Sequence, residues 1–571
     1  MVSDAVSDIL PFPAWFPDQS SYKGATSQAI KNVLPIAAGY APFKSFSALT
    51  AALPAACRGY FCARNTDGSV TIFAGTSDRL FRLDNSTLTW VPVSKVTALT
   101  SISNASPAVL TLNSHGRAIG DAIVLSTSGA LPTGLTVGTV YYIITAGFTA
   151  NAFQVSLTPG GAAINTSSAG SGTHSFTDDY TALPSGYHWQ FAQFGSIVIA
   201  VQPNTNPQAF TLASSAAFAD LAGSPPQAAY IAIVGRFVVL SGLTANPFTI
   251  AWSALGSAIG WTPGTNSSDT QALPDGGIVR GVAGGEYGVI FQESTMRRMV
   301  YAPGTTVIFN IEKIADDKGL LAPYSLIRAG EKIFWLAAQG FYGMTPTGIP
   351  EAIGKEKFDR YFFDNYDSGS LQLVIGAADP QSTRVYWAFK SSSASGTVFD
   401  FIICYDYGLG RPTLIEQGGE YLATLAAPGI TLENLDSISS SIDALTQSLD
   451  DISTAALTKL SAVNASHVVG FFTGSNVEAT LDTSEQAGDR RFRVKGFRPI
   501  TDATTCFGSV GGRETVQTAV TYSTEQAVNG SGMCPANVST RMARGRLRIP
   551  AAQEWTFATG VEPKVAQEGR R

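Results

Sequence analysis

Residues 230–253, YIAIVGRFVVLSGLTANPFTIAWS, run from one short apolar stretch through a glycine turn into a second, with an aromatic closing the unit. β-Branched and aromatic residues sit on the runs and turn formers lie between them, the pattern of two antiparallel strands joined by a hairpin. The same unit recurs along the chain. It appears as SVTIFAGTSDRLFRLD (69–84), GSIVIAVQPNTNPQAFTL (195–212) and GVIFQESTMRRMVYAPG (288–304). It returns as EKIFWLAAQGFYGMTPTG (331–348) and TRVYWAFKSSSASGTVFDFIICYDYGLGR (383–411). Serial, aromatic-rich hairpins at a spacing of about 40 to 50 residues predict the blades of a β-propeller, with a β-sandwich as the competitor. The register is irregular and fixes no blade number. Neither a GH…WD pairing nor an S-x-D-x-G-x-x-W box is present, which sets aside WD40 and sialidase-type scaffolds.

Working outward, the chain divides into five parts. Residues 1–50 carry Pro11, Pro13, Pro17, Pro35 and Pro42 and read as an extended N-terminal arm, with a short helix over SQAIKNVLP. The arm is too short to bury itself and is expected to lie across another domain or subunit. Residues 51–97 and 177–430 form the propeller. Between them, residues 98–176 are rich in Ser, Thr and Gly, with alternation at 122–125, 140–144 and 153–157. This predicts a small β module inserted in a propeller loop, its flanks LTWVPVSKVT and DDYTALPSGYHWQFAQFG being parts of one blade. Residues 431–467 are a linker with Leu435-Asp436, Ile442-Asp443 and Leu449-Asp450 at heptad spacing, which fits a helix or a repeating extended loop equally. Residues 468–571 return to strands as a C-terminal β-rich domain. The fold class is therefore all-β: an irregular β-propeller with an inserted small β domain and a C-terminal β-rich, platform-like domain.

Composition narrows the function. Charged residues are only 14% of the 571, against about 25% in ordinary soluble domains. A surface so poor in charge suggests burial against other subunits, although secreted β proteins share this trait. From Arg490 to Arg571 there are 13 Lys+Arg against 6 Asp+Glu; with the whole chain at −6, that +7 leaves −13 elsewhere. The basic end points to a polyanion, an acidic partner or a neighbouring copy. Five cysteines and four histidines show neither CxxC nor ligand spacing, so no zinc site is expected, and an odd cysteine count speaks against a disulfide framework. The opening MVSDAVSDIL lacks the basic start of a signal peptide, and no apolar run reaches about 18 residues. Synthesis in the cytoplasm without membrane insertion is the expectation.

Several stretches resemble one known family. LPFPAWFPDQSSYKGATSQAIKNVLPIAAGYAPFKSF (10–46) looks like the leading arm of podophage tail nozzle proteins, the tail tubular protein B-like family. IAWSALGSAIGWTP (250–263) is similar to a Trp-flanked stretch of those chains, and so is IEKIADDKGLLAPYSLIRAGEKIFWLAAQGFYGM (311–344). HVVGFFTGSNVEATLDTSEQ, RRFRVKGFRPITDA and WTFATGVEP resemble the family's closing domain, and the 98–176 insert resembles a mobile β module of phage tail proteins. The resemblance covers most of the chain and rests on the order of these matches. It implies a structural virion protein in a homohexameric ring below the tail adaptor and portal, contacting fibres or spikes and, transiently, phage DNA. Localisation would be the virion tail, after synthesis in the host bacterial cytoplasm. The implied role is to extend the DNA channel of a short-tailed phage, retain packaged DNA and pass it during ejection.

No catalytic constellation stands out. There is no G-x-S-x-G elbow beside a plausible histidine, and His188 in SGYHWQF reads as a core or turn residue. Asp316-Asp317 lacks EF-hand spacing and reads as a solvated turn. Glu293, Asp359 and Asp364 remain formal candidates for paired-carboxylate chemistry. The expectation is no enzyme, no catalytic residues, no cofactor and no metal. The one residue set singled out is RMARGRLRI, with Arg541, Arg544, Arg546 and Arg548. On a strand 544, 546 and 548 share a face, either turned to a lumen and its phosphates or, as favoured here, ion-paired to a neighbouring subunit. The rival function is a tail glycan-binding or depolymerising protein; a secreted adhesin comes third.

Overall fold

A computed structural model describes residues 9–22, 25–305, 307–427 and 457–567. Its described part is all-β, with one α-helix, Asp359–Asn365. Six free-standing four-stranded antiparallel sheets are blades of a propeller. In chain order, blades 1 to 5 open with the strands Tyr60–Arg64, Gln190–Phe194, Ala228–Val234, Val279–Ala283 and Ile327–Ala329. A further four-strand meander, Ile375–Ile415, follows blade 5 but merges at its outer edge into a fifteen-stranded sheet. Blade 6 joins Tyr421–Ala426, Thr458–Val463 and Val468–Phe471 to Ser47–Ala52 from the far end of the chain.

The continuous apolar runs are explained by this stacking, because each middle strand is buried on both faces. In blade 3, Phe237 and Val239 pack toward blade 4 with Ile290 and Met299. Val238 and Leu240, pointing the other way, pack toward blade 2 with Ile199 and Val201. In blade 5, Ile333 and Trp335 face blade 4, whereas Phe334 and Leu336 join the largest core. Period-two alternation thus becomes apolar/apolar rather than apolar/polar.

The ring is shut by antiparallel pairing of Val468–Phe471 with Ser47–Ala52, Phe471 opposite Ser47 and Val468 opposite Ala52. Buried Glu420 supports the seam, accepting from the Cys57 N–H at 2.8 Å and contacting His467 Nδ1 at 2.6 Å. Residues 47–50 and 468–471 therefore belong to a blade, not to an arm and a C-terminal domain, and Thr458–Val463 is blade rather than linker. The Leu-Asp repeat itself lies outside the described residues.

The expected helix over SQAIKNVLP is two strands, Ile30–Lys31 and Val33–Ile36. Between them Asn32 has φ of 59°, which a helix cannot accommodate, and its side chain bonds Glu478 O and Glu416 N at 2.8 and 2.7 Å. These strands pair within the fifteen-stranded sheet beside Ala479–Asp482, Cys534–Ile549, Gln486–Thr501 and Ala558–Gln567. We call this the platform. Its core joins Trp15 and Tyr40 of the arm, Trp387 of the meander and Phe497 and Leu547 of the C-terminal strands.

The insert is a seven-stranded sheet spanning Val96–Thr177 around its own core of Ile123, Tyr141, Phe153 and Phe176. It sits between blades rather than inside one: Trp90–Pro92 is the outer strand of blade 1 and Gln190–Phe194 the inner strand of blade 2. The flanks part because blades 1 and 2 each complete their four strands locally.

Candidate functional site

The opening strands of all blades, together with that of the meander, surround a central cavity of about 590 Å³. Tyr60, Gln190, Tyr230, Arg280, Tyr324 and Tyr421 are among its walls. Two of its phenols are committed to structure: Tyr60 shares a 2.6 Å hydrogen bond with Ser461, and Tyr324 accepts from the His188 N–H at 2.8 Å. Burial pushes Tyr60, Tyr230, Tyr324 and Tyr421 above the ordinary phenol range, so they stay neutral. Arg280 is held by Leu321 O at 2.7 Å and Glu293 at 2.8 Å.

His188 lies against this wall, fully buried, with Tyr324 and Tyr421 edge-on to its ring. Burial drives it down to about 3, and its Nε2 contacts Gln372 O at 2.9 Å. It is a neutral core imidazole, in keeping with its aromatic sequence context.

The carboxylates are scattered and employed. Glu293 pairs with Arg280 and accepts from the Ile278 N–H at 3.2 Å. Asp316 pairs with Lys313 at 3.1 Å, and Asp317 occupies a turn with φ of 60°. Asp359, raised by burial to about 6, accepts from the Phe341 N–H at 3.0 Å; Asp364 is exposed on the same helix. Glu293 belongs to blade 4 and Asp359 to the helix after blade 5, and no hydrogen bond joins them. Among the described residues no three His, Cys, Asp or Glu side chains gather as a metal site.

The arginine face is a strand, as its alternation requires: Ala543, Leu547 and Ile549 point into the core while Arg544, Arg546 and Arg548 point away. Arg546 and Arg548 have acidic partners within the same chain. Arg546 forks onto buried Asp482 at 2.6 and 2.8 Å and donates to Tyr522 at 2.9 Å, its guanidinium over that ring. Arg548 bridges Glu478 and Glu525, both at 2.9 Å. Arg544 lies beside Tyr522 and lines an apolar groove of about 260 Å³ with Phe492, Val494 and Val565. Arg541, on the other parity, is exposed and 4.0 Å from Glu514. Further exposed cations lie on the adjacent strand, where Arg493, bonded to Asn537 at 2.6 Å, and Lys495 alternate with inward Val494.

Two clusters had no separate signal in the sequence. Buried Glu485 clasps Arg513 at 2.5 Å next to the Asp482–Arg546 pair. At the root of the insert, Arg79 and Arg117 meet Asp121, Asp178 and Asp179, with Arg117–Asp179 at 2.6 Å and Arg79–Asp179 at 2.5 Å. Burial pushes Asp179 up, but the two guanidinium groups outweigh it and hold the carboxyl below its ordinary value. Only the adjacent acids 178 and 179 hinted at this cluster.

No protein-family model matches the chain, and no curated protein matches it. Similar solved structures include the dihydro-heme d1 dehydrogenase NirN in complex with DHE, at 14% identity and a TM-score of 0.26. That likeness covers 41% of this chain and 48% of the dehydrogenase, so this chain spans about half of its length. The computationally designed Ika8 protein is 11% identical over 74% of this chain and 97% of that one, with a TM-score of 0.31. Hsv2 of Kluyveromyces lactis is 9% identical over 63% of this chain and 98% of that one, with a TM-score of 0.26. Likenesses this slight carry no argument about activity, and the enzymes among these neighbours do not make this chain one.

Proposed function

We propose that the chain is a structural virion protein, a tail nozzle subunit whose ring extends the DNA channel of a short-tailed phage. Copies of the chain close the ring, a hexamer in the family it resembles, below the adaptor and portal. The ring retains packaged DNA, lets it pass during ejection and offers fibres or spikes a docking surface. Its role is mechanical rather than catalytic, in the virion tail after synthesis in the host cytoplasm.

The observation that carries this reading is how the chain is tied together. Ser47–Ala52 shuts the propeller, and the meander after blade 5 runs without a break into a sheet holding strands from both ends of the chain. Backbone hydrogen bonds loaded together across long strands resist pulling better than blades hung on flexible linkers. That suits a wall under pressure from packed DNA. The low charge adds support, since a ring buries neutral surface on both sides of each subunit.

The test is the native mass of the purified protein, followed by electron microscopy of virions labelled against it. A ring, with label confined to the tail below the portal, is expected. A monomer, with label on peripheral appendages, overturns the reading and moves the function to glycan recognition, to be assayed on host polysaccharide.

A further inference from the structure

Cys534 and Cys506 mark opposite ends of one long strand, the first on it and the second just before the strand Phe507–Arg513 that pairs with it. Cys534 starts Cys534–Ile549 and faces Phe497. Cys506 directly precedes Phe507, whose partner is Arg548 near the other end. A straight strand would hold the two ends roughly 45 Å apart. The platform curls instead. A Cβ added at Gly508 would touch both the Phe497 ring and the Cys534 Sγ, so the halves of the strand fold onto each other. The curl sets the Cys534 Sγ beside Gly508, two residues along the chain from Cys506, so the two thiols adjoin, both buried in the platform core. The other three cysteines meet no thiol. Cys57 donates to Gly59 O at 3.5 Å, Cys62 is bonded to the Ala426 backbone, and Cys404 sits against Tyr386 and Thr413.

We propose that Cys506 and Cys534 are a disulfide-forming site, a dithiol that a low-molecular-weight disulfide such as oxidised glutathione converts to a bond clamping the curl. Cys506 is the attacking group: the hydrogen bond from the Cys534 thiol outweighs burial and holds it below the ordinary thiol range. It is itself buried but directly follows the exposed residues Thr504 and Thr505, so local opening at that strand end is what admits the reagent. Its thiolate attacks one glutathione sulfur, forming a mixed disulfide and releasing one glutathione thiolate. Cys534 then loses its proton and attacks the Cys506 sulfur, releasing the second glutathione. Two protein thiols are oxidised, one glutathione disulfide is reduced to two thiols, and the protons pass to the released thiolates. The sulfurs close from contact to about 2 Å. In a reducing cytoplasm the pair stays open; outside the cell it closes, so the clamp sets after synthesis and folding.

The experiment treats the purified full chain with oxidised glutathione, unfolds it in N-ethylmaleimide and maps the cysteines by mass spectrometry. Cys506 and Cys534 are expected unlabelled, in peptides joined to each other, with Cys57, Cys62 and Cys404 labelled. The thermal midpoint of the oxidised protein rises by about 5 °C and falls back with dithiothreitol. In Cys534→Ala the rise is absent and Cys506 ends free or with one glutathione. Five labelled cysteines, or Cys506 and Cys534 capped separately by glutathione, overturn the proposal. The wild-type map decides this even if the variant does not fold.

Discussion

The blades and the platform are built from the same kind of strand by opposite means. Each of blades 1 to 5 takes four strands in chain order, and the blades pack apolar faces against their neighbours. The platform takes strands from residues 10–42, 375–415 and 479–567, and secures them with carboxylates buried beside arginines. Local pairing needs only turns and hydrophobic patterning. Non-local pairing must select one register among many, and a buried ion pair that tolerates a single alignment contributes that selection. Blades 1 to 5 are thus specified piece by piece, whereas blade 6 and the platform exist only once both ends of the chain have met.

Substitutions that load one half and spare the other sharpen this contrast. The largest effect is expected from Asp482→Ala, which leaves the half-buried Arg546 and the Tyr522 hydroxyl without their carboxylate. It should destabilise the platform by about 4 kcal/mol, seen as lost hydrogen-exchange protection across Cys534–Ile549 with blades 2 and 3 unchanged. Equal loss in the blades would mean that the halves fold as one unit. Trp252→Ala empties the core between blades 3 and 4 and should cost about 3 kcal/mol. Here the exchange loss is local to those blades.

Gly39→Ala probes the seam between arm and C-terminal strand. Gly39 has φ of 137°, and a Cβ there would run into the Ala558 carbonyl. A cost of about 2 kcal/mol is expected by urea titration, with the blades intact. Asp359→Asn tests a smaller, pH-dependent term. Because burial raises Asp359 to about 6, the folded state binds its proton more tightly than the unfolded chain. Its contribution is complete below about pH 4 and is lost as pH rises through 6. Wild type should therefore lose about 1.5 kcal/mol over that window, and Asp359→Asn, which keeps an oxygen for the Phe341 N–H, should flatten the curve. The smallest effect is expected from excising residues 99–174 and rejoining the chain, since Ala98 already pairs with Ser175. Loss of Arg117 and Asp121 strips part of the ionic root, yet the blades should change by less than about 1 kcal/mol in a thermal scan.

The blades were legible because hairpin turns and apolar runs are local signals: the stretch 230–253 forms three strands of blade 3 where hairpins were expected. The insert was legible as a change of composition with its own alternation. The arm was not, because Asn32 takes a left-handed conformation only when Glu416 and Glu478 are there to bond it. The shared face of Arg544, Arg546 and Arg548 followed from strand periodicity. Their partners did not, since Asp482, Glu478 and Glu525 reach them only through register across the platform.

By itself the sequence determined an all-β chain of serial hairpins, an inserted β module and a basic C-terminal end, all properties of neighbours along the chain. Only the tertiary structure decided which strand shuts the ring, which acid each arginine meets and which two of five thiols touch. Those contacts join residues far apart in sequence. Pattern and composition carry no information about such pairs until the sheet curls and brings them together.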